Sequence, residues 1–171
     1  MKKILILCFM VLIFSSYGNT KSYKKGQKSF DKKKYAEAEK YYLIAVNDEG
    51  SVLAMRGLGY VYRNENKYEL SEQYFKIAIE NGDIISMLAL GNLYKSEKRY
   101  DEAEKYLKMA KEEKIERAKL ELGEVYLLKE EYDLAEENLK EYLLTNEYAG
   151  FKREAMEKLA ELYRIEGKYD L

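Results

Sequence analysis

Apolar and small residues recur along this chain with two periods, one of three to four residues and one of about thirty-two. Within residues 86–110, Leu90 and Gly91 fall on one face of a first predicted helix, and Ala103 and Leu107 fall on one face of a second. This spacing is typical of amphipathic helices. One helix pair cannot bury its apolar face alone, so each pair must stack on neighbouring pairs.

The longer period gives a register for the whole chain when one small residue in each repeat is taken as its origin. The origin residues are Gly26, Gly59, Gly91, Gly123 and Ala160, at spacings of 33, 32, 32 and 37 residues. A tyrosine follows every origin by nine residues, at Tyr35, Tyr68, Tyr100, Tyr132 and Tyr169. We predict helix pairs near residues 22–50, 51–83, 84–114 and 115–149, followed by a partial repeat over 150–171.

The alternation of small and large residues predicts how the helices pack. We expect the origin glycines to let the two helices of a pair approach until their backbones nearly touch, while tyrosines and leucines fill the wider gaps. The 18 tyrosines are therefore mainly structural in this interpretation. The sequence contains no proline, so long helices meet little obstruction.

Nine helices are predicted from the periodicity and from acidic residues that favour helix starts. They cover residues 23–32, 35–47, 52–64, 68–81, 84–96, 101–112, 115–129, 132–145 and about 151–166. Gly50 and Gly82 stand where second helices should stop. The step of 37 residues before Ala160 predicts a longer connection around residues 146–150.

These positions carry a resemblance to a known family. The segment Ala54-Met55-x-x-Leu58-Gly59-x-x-Tyr62, followed by Tyr68, Phe75 and Ala78, resembles a tetratricopeptide repeat. The segment Ala78 to Asp83, followed by Leu90-Gly91-x-x-Tyr94, is also similar to the Sel-one-like repeats. The resemblance extends over residues 22–171 and implies an all-α, right-handed solenoid of about four and a half antiparallel helix pairs. The family's usual proline at the end of the second helix is missing.

The first eighteen residues have the features of a secretory signal peptide. Lys2 and Lys3 precede an apolar run of eleven residues from Ile4 to Phe14, and small residues end at Gly18. A membrane-spanning helix needs about twenty apolar residues, so an uncleaved anchor is the weaker alternative. We expect the mature domain to cover residues 19–171 and to be exported, to the periplasm or the medium. Cys8 lies within the leader, so the mature chain would have no thiol.

Charge is unevenly distributed over the mature chain, whose formal net charge is −3. Residues 19–46 contain eight lysines against three acidic residues, whereas the remainder contains 20 basic and 28 acidic residues. This balance gives no reason to expect nucleic acid as a partner. The basic end could contact anionic lipid or an acidic partner, or it is simply a solvated face of the first repeat. Its lysines are Lys21, Lys24, Lys25, Lys28, Lys32, Lys33 and Lys34.

The sequence lacks most of the residue types that enzymes use for catalysis. The mature chain lacks histidine, cysteine and tryptophan, which removes the usual general base, the thiol nucleophile and most transition-metal ligands. Acidic pairs such as Glu112-Glu113 and Glu136-Glu137 are sequence neighbours and do not share a helix face. No phosphate-binding glycine loop and no calcium-loop spacing occurs. We therefore predict a protein without catalytic residues, cofactor or metal.

The resemblance implies a protein–protein interaction scaffold that binds a protein or peptide in the groove formed by the first helices. The alternative is a structural or assembly subunit of a cell-envelope complex, which would use its convex face or end-to-end stacking. The sequence does not identify the partner.

Groove residues are predicted one position after, three before and four after two of the origin glycines. They are Arg56, Tyr60, Arg63, Leu88, Asn92 and Lys95. Arg56 and Asn92 match in kind the clamp by which some tetratricopeptide domains hold a peptide carboxylate, whereas Tyr60 replaces an expected asparagine. An acidic or C-terminal peptide is the expected ligand.

The last predicted helix has no second helix to cover it within the chain. We expect Leu159, Leu162 and Tyr163 to be exposed on it, and we expect self-association through this end of the chain or a longer natural protein.

Overall fold

A computed structural model of the 171-residue chain describes residues 20–145 and 149–167. The leader (residues 1–18), the predicted mature terminus at Asn19, the connection at residues 146–148 and Tyr169 lie outside the described residues. The chain divides into two compact units, Met1–Ser86 and Met87–Leu171. Among the described residues, no helix combines the length and the apolarity needed to cross a membrane.

Nine α-helices lie in the described ranges, and consecutive helices form the predicted antiparallel pairs. The helices are α1 (Lys21–Asp31), α2 (Tyr35–Asn47), α3 (Val52–Asn64), α4 (Tyr68–Glu80), α5 (Ile85–Ser96), α6 (Tyr100–Glu112), α7 (Arg117–Leu128), α8 (Tyr132–Thr145) and α9 (Ala149–Ile165). Their ends lie within about two residues of the predicted ends, which is the usual uncertainty of helix boundaries. The first helix begins earlier than predicted because the Thr20 side chain accepts a hydrogen bond from the Tyr23 N–H, 3.3 Å away.

Most of these helices end in the same left-handed turn. After α3, Asn66 has φ = 59°, its N–H donates to the Arg63 carbonyl, and the Lys67 N–H donates to the Tyr62 carbonyl. These two bonds form a Schellman motif, which satisfies carbonyl groups at a helix end. The equivalent residue of the other turns also has positive φ, at Lys33, Gly82, Lys98, Lys114 and Glu130. Gly82 thus ends α4 as predicted, and Gly50 also has positive φ after α2.

The core of the first unit lies between α2 and the helices on either side of it. Ala38, Tyr42 and Ala45 of α2 are buried against Leu58 and other residues of α3. Tyr23 and Phe30 of α1 pack on the same cluster. Small residues on α2 and large ones on its neighbours give the close packing that the repeat pattern predicted.

The origin glycines have a role beyond the predicted close approach of the two helices. Each makes room for one large side chain from the second helix of its own repeat. A Cβ atom on Gly59 would lie 2.5 Å from the Phe75 ring, and one on Gly91 would lie 2.6 Å from Leu107 Cγ. The Ala103 carbonyl oxygen of the opposing backbone would lie 3.4 Å from that Cβ. The opposing backbone is close, but the tighter contact, with the large side chain, is the one that requires glycine at the origin.

The prediction for the last helix is wrong for two of its three residues. Leu159 and Leu162 are buried, with 8% and 0% of their surface exposed. Leu159 packs with Leu139 and Tyr142 of α8, so this face of α9 points toward the preceding pair. The uncovered face of α9 instead carries the exposed Met156. Tyr163 is partly buried against the same cluster.

Candidate functional site

A concave surface in the first unit lies between α1 and α3, the first helices of two consecutive repeats. It encloses a cavity of about 320 Å³. Its floor is Tyr42, which reaches from α2 between two glycines. A Cβ atom on Gly26 would lie 2.6 Å from Tyr42 Cδ1, and one on Gly57 would lie 2.7 Å from Tyr42 Cζ. Both glycines are needed for the phenol ring to pass between the helices.

Four of the ten residues that line this cavity are aromatic, and we call the site the tyrosine-lined cavity. Its lining residues are Tyr23, Gln27, Phe30, Asp31, Tyr42, Leu53, Arg56, Gly57, Tyr60 and Ile85. The Tyr23 and Tyr42 ring centroids are 5.7 Å apart, and Tyr60 meets the Phe75 ring edge to face at 5.1 Å. Such contacts hold the rings in fixed orientations. Burial raises the pKa of the Tyr42 and Tyr60 phenols, so both stay neutral.

Arg56, a predicted groove residue, lines the tyrosine-lined cavity but already has an anionic partner. Its Nη1 atom lies 2.7 Å from the Asp83 carboxylate, which is nearly buried. Asp83 also accepts hydrogen bonds from the Ser86 N–H at 3.1 Å and from the Ser86 hydroxyl at 2.5 Å. Asp83 therefore caps the start of α5 and neutralises Arg56 at the same time.

Tyr60 and Arg63, the other two predicted residues in this unit, interact with each other. The Arg63 guanidinium lies 5.2 Å from the centre of the Tyr60 ring, within the range of a cation–π contact. Tyr60 lines the tyrosine-lined cavity, whereas Arg63 does not. The structure thus places Arg56 and Tyr60 in one concave site of the first unit.

The remaining predicted residues, Leu88, Asn92 and Lys95, lie on α5 in the second unit, where all three are partly buried. Lys95 Nζ lies 2.5 Å from a Glu121 oxygen and 2.6 Å from a Glu124 oxygen, both on α7. The pKa of Lys95 is raised because these two carboxylates outweigh the opposing effect of burial. The Asn92 Oδ1 atom is buried and has no hydrogen-bond donor among the described residues.

Lys95 belongs to an ion-pair network along the first helices of the second unit. Arg117 lies 2.8 Å from Glu121 and also 2.8 Å from Glu154 on α9. Lys158 of α9 lies 3.2 Å from Glu124. Three cations and three carboxylates therefore neutralise one another, so Lys95, Arg117 and Lys158 are not free to bind a ligand carboxylate.

The aromatic part of the site was not predicted from the sequence. One signal was present: Gly57 is a second glycine, two residues before an origin, that no other repeat has. Tyr42 is likewise the only tyrosine sixteen residues after an origin, where the next three repeats have Phe75, Leu107 and Leu139. A large ring opposite two glycines is the pattern that this cavity requires.

No group of three or more metal-ligating side chains occurs in the parts of the chain that the structure describes. The site combines four aromatic rings, two aliphatic side chains, one amide, one exposed carboxylate and one neutralised guanidinium. Side chains of these kinds can hold a ligand by apolar contact and hydrogen bonding.

Two models of the tetratricopeptide repeat match the sequence, over residues 23–83 and residues 86–119, which together exceed half of the chain. No curated protein matches it significantly. The Sel-one-like likeness remains a prediction.

Solved structures resemble this chain over most of its length. A tetratricopeptide repeat protein from Parabacteroides merdae is 20% identical with a TM-score of 0.74, over 88% of this chain and 62% of that one. Pseudomonas aeruginosa pilF is 19% identical with a TM-score of 0.62, over 80% of this chain and 65% of that one. MamA residues 41 to the end, from Desulfovibrio magneticus RS-1, are 16% identical with a TM-score of 0.65, over 90% of this chain and 100% of that one.

The chain thus spans less than two thirds of the first two of these proteins, and identities this low establish only the fold. The fold agrees with the matched models, with the sequential antiparallel pairs and with the recurring glycine and tyrosine positions. The chain is a member of the tetratricopeptide repeat family.

Proposed function

We propose that this protein is a non-enzymatic scaffold that binds a protein or peptide in the tyrosine-lined cavity of its first unit. Tetratricopeptide repeats generally mediate protein–protein interactions. The observation that carries the proposal is the set of aromatic rings around a cavity of about 320 Å³ between two first helices. Rigid aromatic walls lose little conformational entropy when they close around a ligand side chain.

The ligand we favour has an apolar side chain that enters the cavity. Arg56 is bound to Asp83, so a ligand carboxylate would have to displace a nearly buried partner at considerable cost. Asp31 lies at the cavity and makes no ion pair within the described residues, so it can accept a basic residue next to that side chain. An acidic or C-terminal peptide, which the sequence favoured, is the weaker alternative.

The site is tested with one blocking variant and one matched control. Gln27→Trp places an indole in the cavity from an exposed position on α1, and Gln73→Trp makes the same change at an exposed position on α4. A photo-crosslinking amino acid at position 27 of the full-length protein first captures the partner for identification. Titration calorimetry then measures the Kd of both variants for that partner.

We expect Gln27→Trp to weaken binding by about tenfold or more, a loss of about 1.4 kcal/mol, because the cavity is filled. Gln73→Trp should bind as the wild type does. If Gln73→Trp weakens binding and Gln27→Trp does not, the binding surface lies on the second helices. That result would favour the convex-face alternative.

Export is the second part of the proposal, and it rests on the leader alone. Mass spectrometry of the protein purified from its native cells measures whether residues 1–18 have been removed. A mature chain that begins at Asn19 is expected. An intact leader would overturn the export of a cleaved form.

A further inference from the structure

The first helix presents lysines at positions where every later repeat buries aliphatic side chains. One residue before the origin, the later repeats have buried leucines, whereas the first repeat has Lys25. Two residues after the origin, they have a buried valine or leucine, whereas the first repeat has Lys28. The buried residues are Leu58, Leu90, Leu122, Leu159, Val61, Leu93, Val125 and Leu162. In the first repeat, two core positions therefore carry exposed positive charge.

Lys25 and Lys28 belong to a surface that we call the lysine face. It consists of seven exposed residues, Lys21, Lys24, Lys25, Lys28, Lys32, Lys33 and Lys34. From Lys21 to Lys32 the spacings of three and four residues place five lysines within an arc of about 100°, along about 17 Å of helix. A helix with such an arc can lie flat on a plane and bring all five ammonium groups to it.

Acidic neighbours compensate little of this charge. Within the described residues the lysine face makes one ion pair, between Lys34 and the exposed Glu37 at 3.8 Å, which contributes little. Asp31 lines the tyrosine-lined cavity and forms no ion pair with these lysines. An ordinary solvated surface mixes charges of both signs. A surface of one sign has a strong potential, and here that potential attracts anions.

A cavity of about 240 Å³ lies within the lysine face and is lined by Lys25, Lys28, Lys32 and Lys34. Tyr41 of α2 forms part of its wall, and Lys25 Nζ lies 5.3 Å from the centre of that ring. Each ammonium group has three N–H donors and no acceptor, which suits phosphate oxygens. Lysine binds phosphate as a point charge, whereas planar recognition of a carboxylate favours arginine, which the lysine face lacks.

The surroundings of the lysine face favour a lipid surface over an acidic protein. Interfaces between proteins depend on apolar and aromatic anchors and are depleted in lysine. Among the described residues of α1 and α2, no large apolar side chain is exposed, and Tyr41 is partly buried. An anionic membrane needs no such anchor, because each lysine near it gains separately from the surface potential.

We propose that the lysine face binds the surface of a membrane that contains anionic phospholipids. The contact is peripheral: α1 lies along the surface, its ammonium groups meet lipid phosphate groups, and no helix enters the bilayer. The tyrosine-lined cavity uses other residues of α1, namely Tyr23, Gln27, Phe30 and Asp31. The proposal therefore does not depend on what binds in that cavity.

Vesicle co-sedimentation of the full-length protein measures this binding. One set of vesicles contains equimolar phosphatidylglycerol and phosphatidylcholine, and the other contains phosphatidylcholine alone. At low ionic strength we expect the anionic vesicles to be bound at least about tenfold more tightly, and this difference should disappear at ~1 M NaCl, where the Debye length is ~3 Å. The neutral vesicles also show how much the apolar leader contributes to binding.

Three triple variants test the lysine face. Lys25/Lys28/Lys32→Gln should weaken binding to the anionic vesicles by about a hundredfold, since each lysine near such a surface contributes about fivefold. Lys25/Lys28/Lys32→Arg keeps the charges and should bind as the wild type does. The matched control is Lys98/Lys105/Lys114→Gln, which removes three exposed lysines of the second unit that also form no ion pair within the described residues. Circular dichroism confirms that every variant is folded.

Three results would overturn the proposal. One is equal binding of the wild type to anionic and neutral vesicles, and another is a control variant that loses as much affinity as the lysine-face variant. The third concerns soluble poly-glutamate as a second probe. If the wild type binds poly-glutamate through the same lysines but does not bind the anionic vesicles, the partner is an acidic polypeptide and not a membrane.

Discussion

The Tyr62 hydroxyl donates a hydrogen bond to Glu39, with 2.7 Å between the two oxygens, and so joins the first helix of the second repeat to the second helix of the first. The same bond recurs between the equivalent residues of later repeats. Tyr126 donates to Glu104 at 3.2 Å, and Tyr163 donates to Glu136 at 2.6 Å. Burial, and then the bond to Glu39, raises the pKa of Tyr62, so the phenol remains a donor. A polar bond therefore joins the helices of consecutive repeats at three places.

Tyr62→Phe tests this bond. We expect the variant to lower the free energy of unfolding by about 0.5–1.5 kcal/mol, because a partly buried hydrogen bond is lost while the ring remains. Tyr100→Phe is the control, since no hydrogen bond from its hydroxyl occurs among the described residues, and it should be within about 0.5 kcal/mol of wild type. Urea denaturation measures both. Equal stabilities for the two variants would show that the bond does not stabilise the stack.

The left-handed turns allow the stability to be increased. Lys114 has φ = 61° at the position where the preceding repeats have Gly50 and Gly82. This conformation costs a residue with a Cβ atom about 1 kcal/mol of folding free energy, whereas glycine adopts it freely. Lys114→Gly should therefore raise the free energy of unfolding by about 1 kcal/mol. Gly82→Ala, at the equivalent turn after α4, should lower it similarly. Thermal unfolding measures both, and a destabilised Lys114→Gly protein would contradict the explanation.

A large side chain at an origin glycine, or a charged one at a buried alanine, should destabilise the protein strongly. Gly91→Leu would place a side chain where even a Cβ atom lies 2.6 Å from Leu107 Cγ, and Ala103→Glu would bury an unpaired charge at a fully buried position. We expect each to cost about 3 kcal/mol or more. Glu112→Gln, at an exposed position, should be near neutral. Circular dichroism measures the melting temperatures. If both core variants melted within a degree or two of wild type, the packing described here would be wrong.

Local periodicity was enough to predict the helices and the register. Small and large residues recur at equivalent positions of each repeat, because those positions pack against equivalent neighbours. The error at Leu159 and Leu162 arose because a first helix has two apolar faces, one toward its own partner and one toward the preceding pair. Their equivalents Leu58 and Val61 are buried against the preceding pair. The register therefore already implied that Leu159 and Leu162 are buried.

The functional surface was less predictable because its properties depend on side chains from different helices. The exposed charge assumed for Arg56 and Lys95 is cancelled by Asp83, 27 residues later, and by Glu121, 26 residues later. Helical spacing does not tell which of many acidic residues lies opposite a given cation. The tyrosine-lined cavity similarly depends on where Tyr42 enters between α1 and α3.

Glu104 should make the stability of the second unit depend on pH. Although burial acts in the opposite direction, hydrogen bonds from Lys108 at 2.6 Å and Lys129 at 2.5 Å lower the pKa of Glu104 to about 2. An unfolded glutamate has a pKa of about 4.3. The native state therefore favours the ionised form. Its contribution is fully present above about pH 4.3 and is lost as the pH falls toward about 2.

Glu104→Gln removes this contribution at neutral pH and should lower the free energy of unfolding by about 1–2 kcal/mol, after allowance for the solvent that screens the two lysines. The variant should also lose less stability than wild type between about pH 5 and pH 3, since it has no proton to take up at this position. Urea denaturation at several pH values measures both effects, with Glu112→Gln as the exposed control. An unchanged pH dependence in Glu104→Gln, with wild-type stability at neutral pH, would mean that Glu104 is solvated and unpaired in solution.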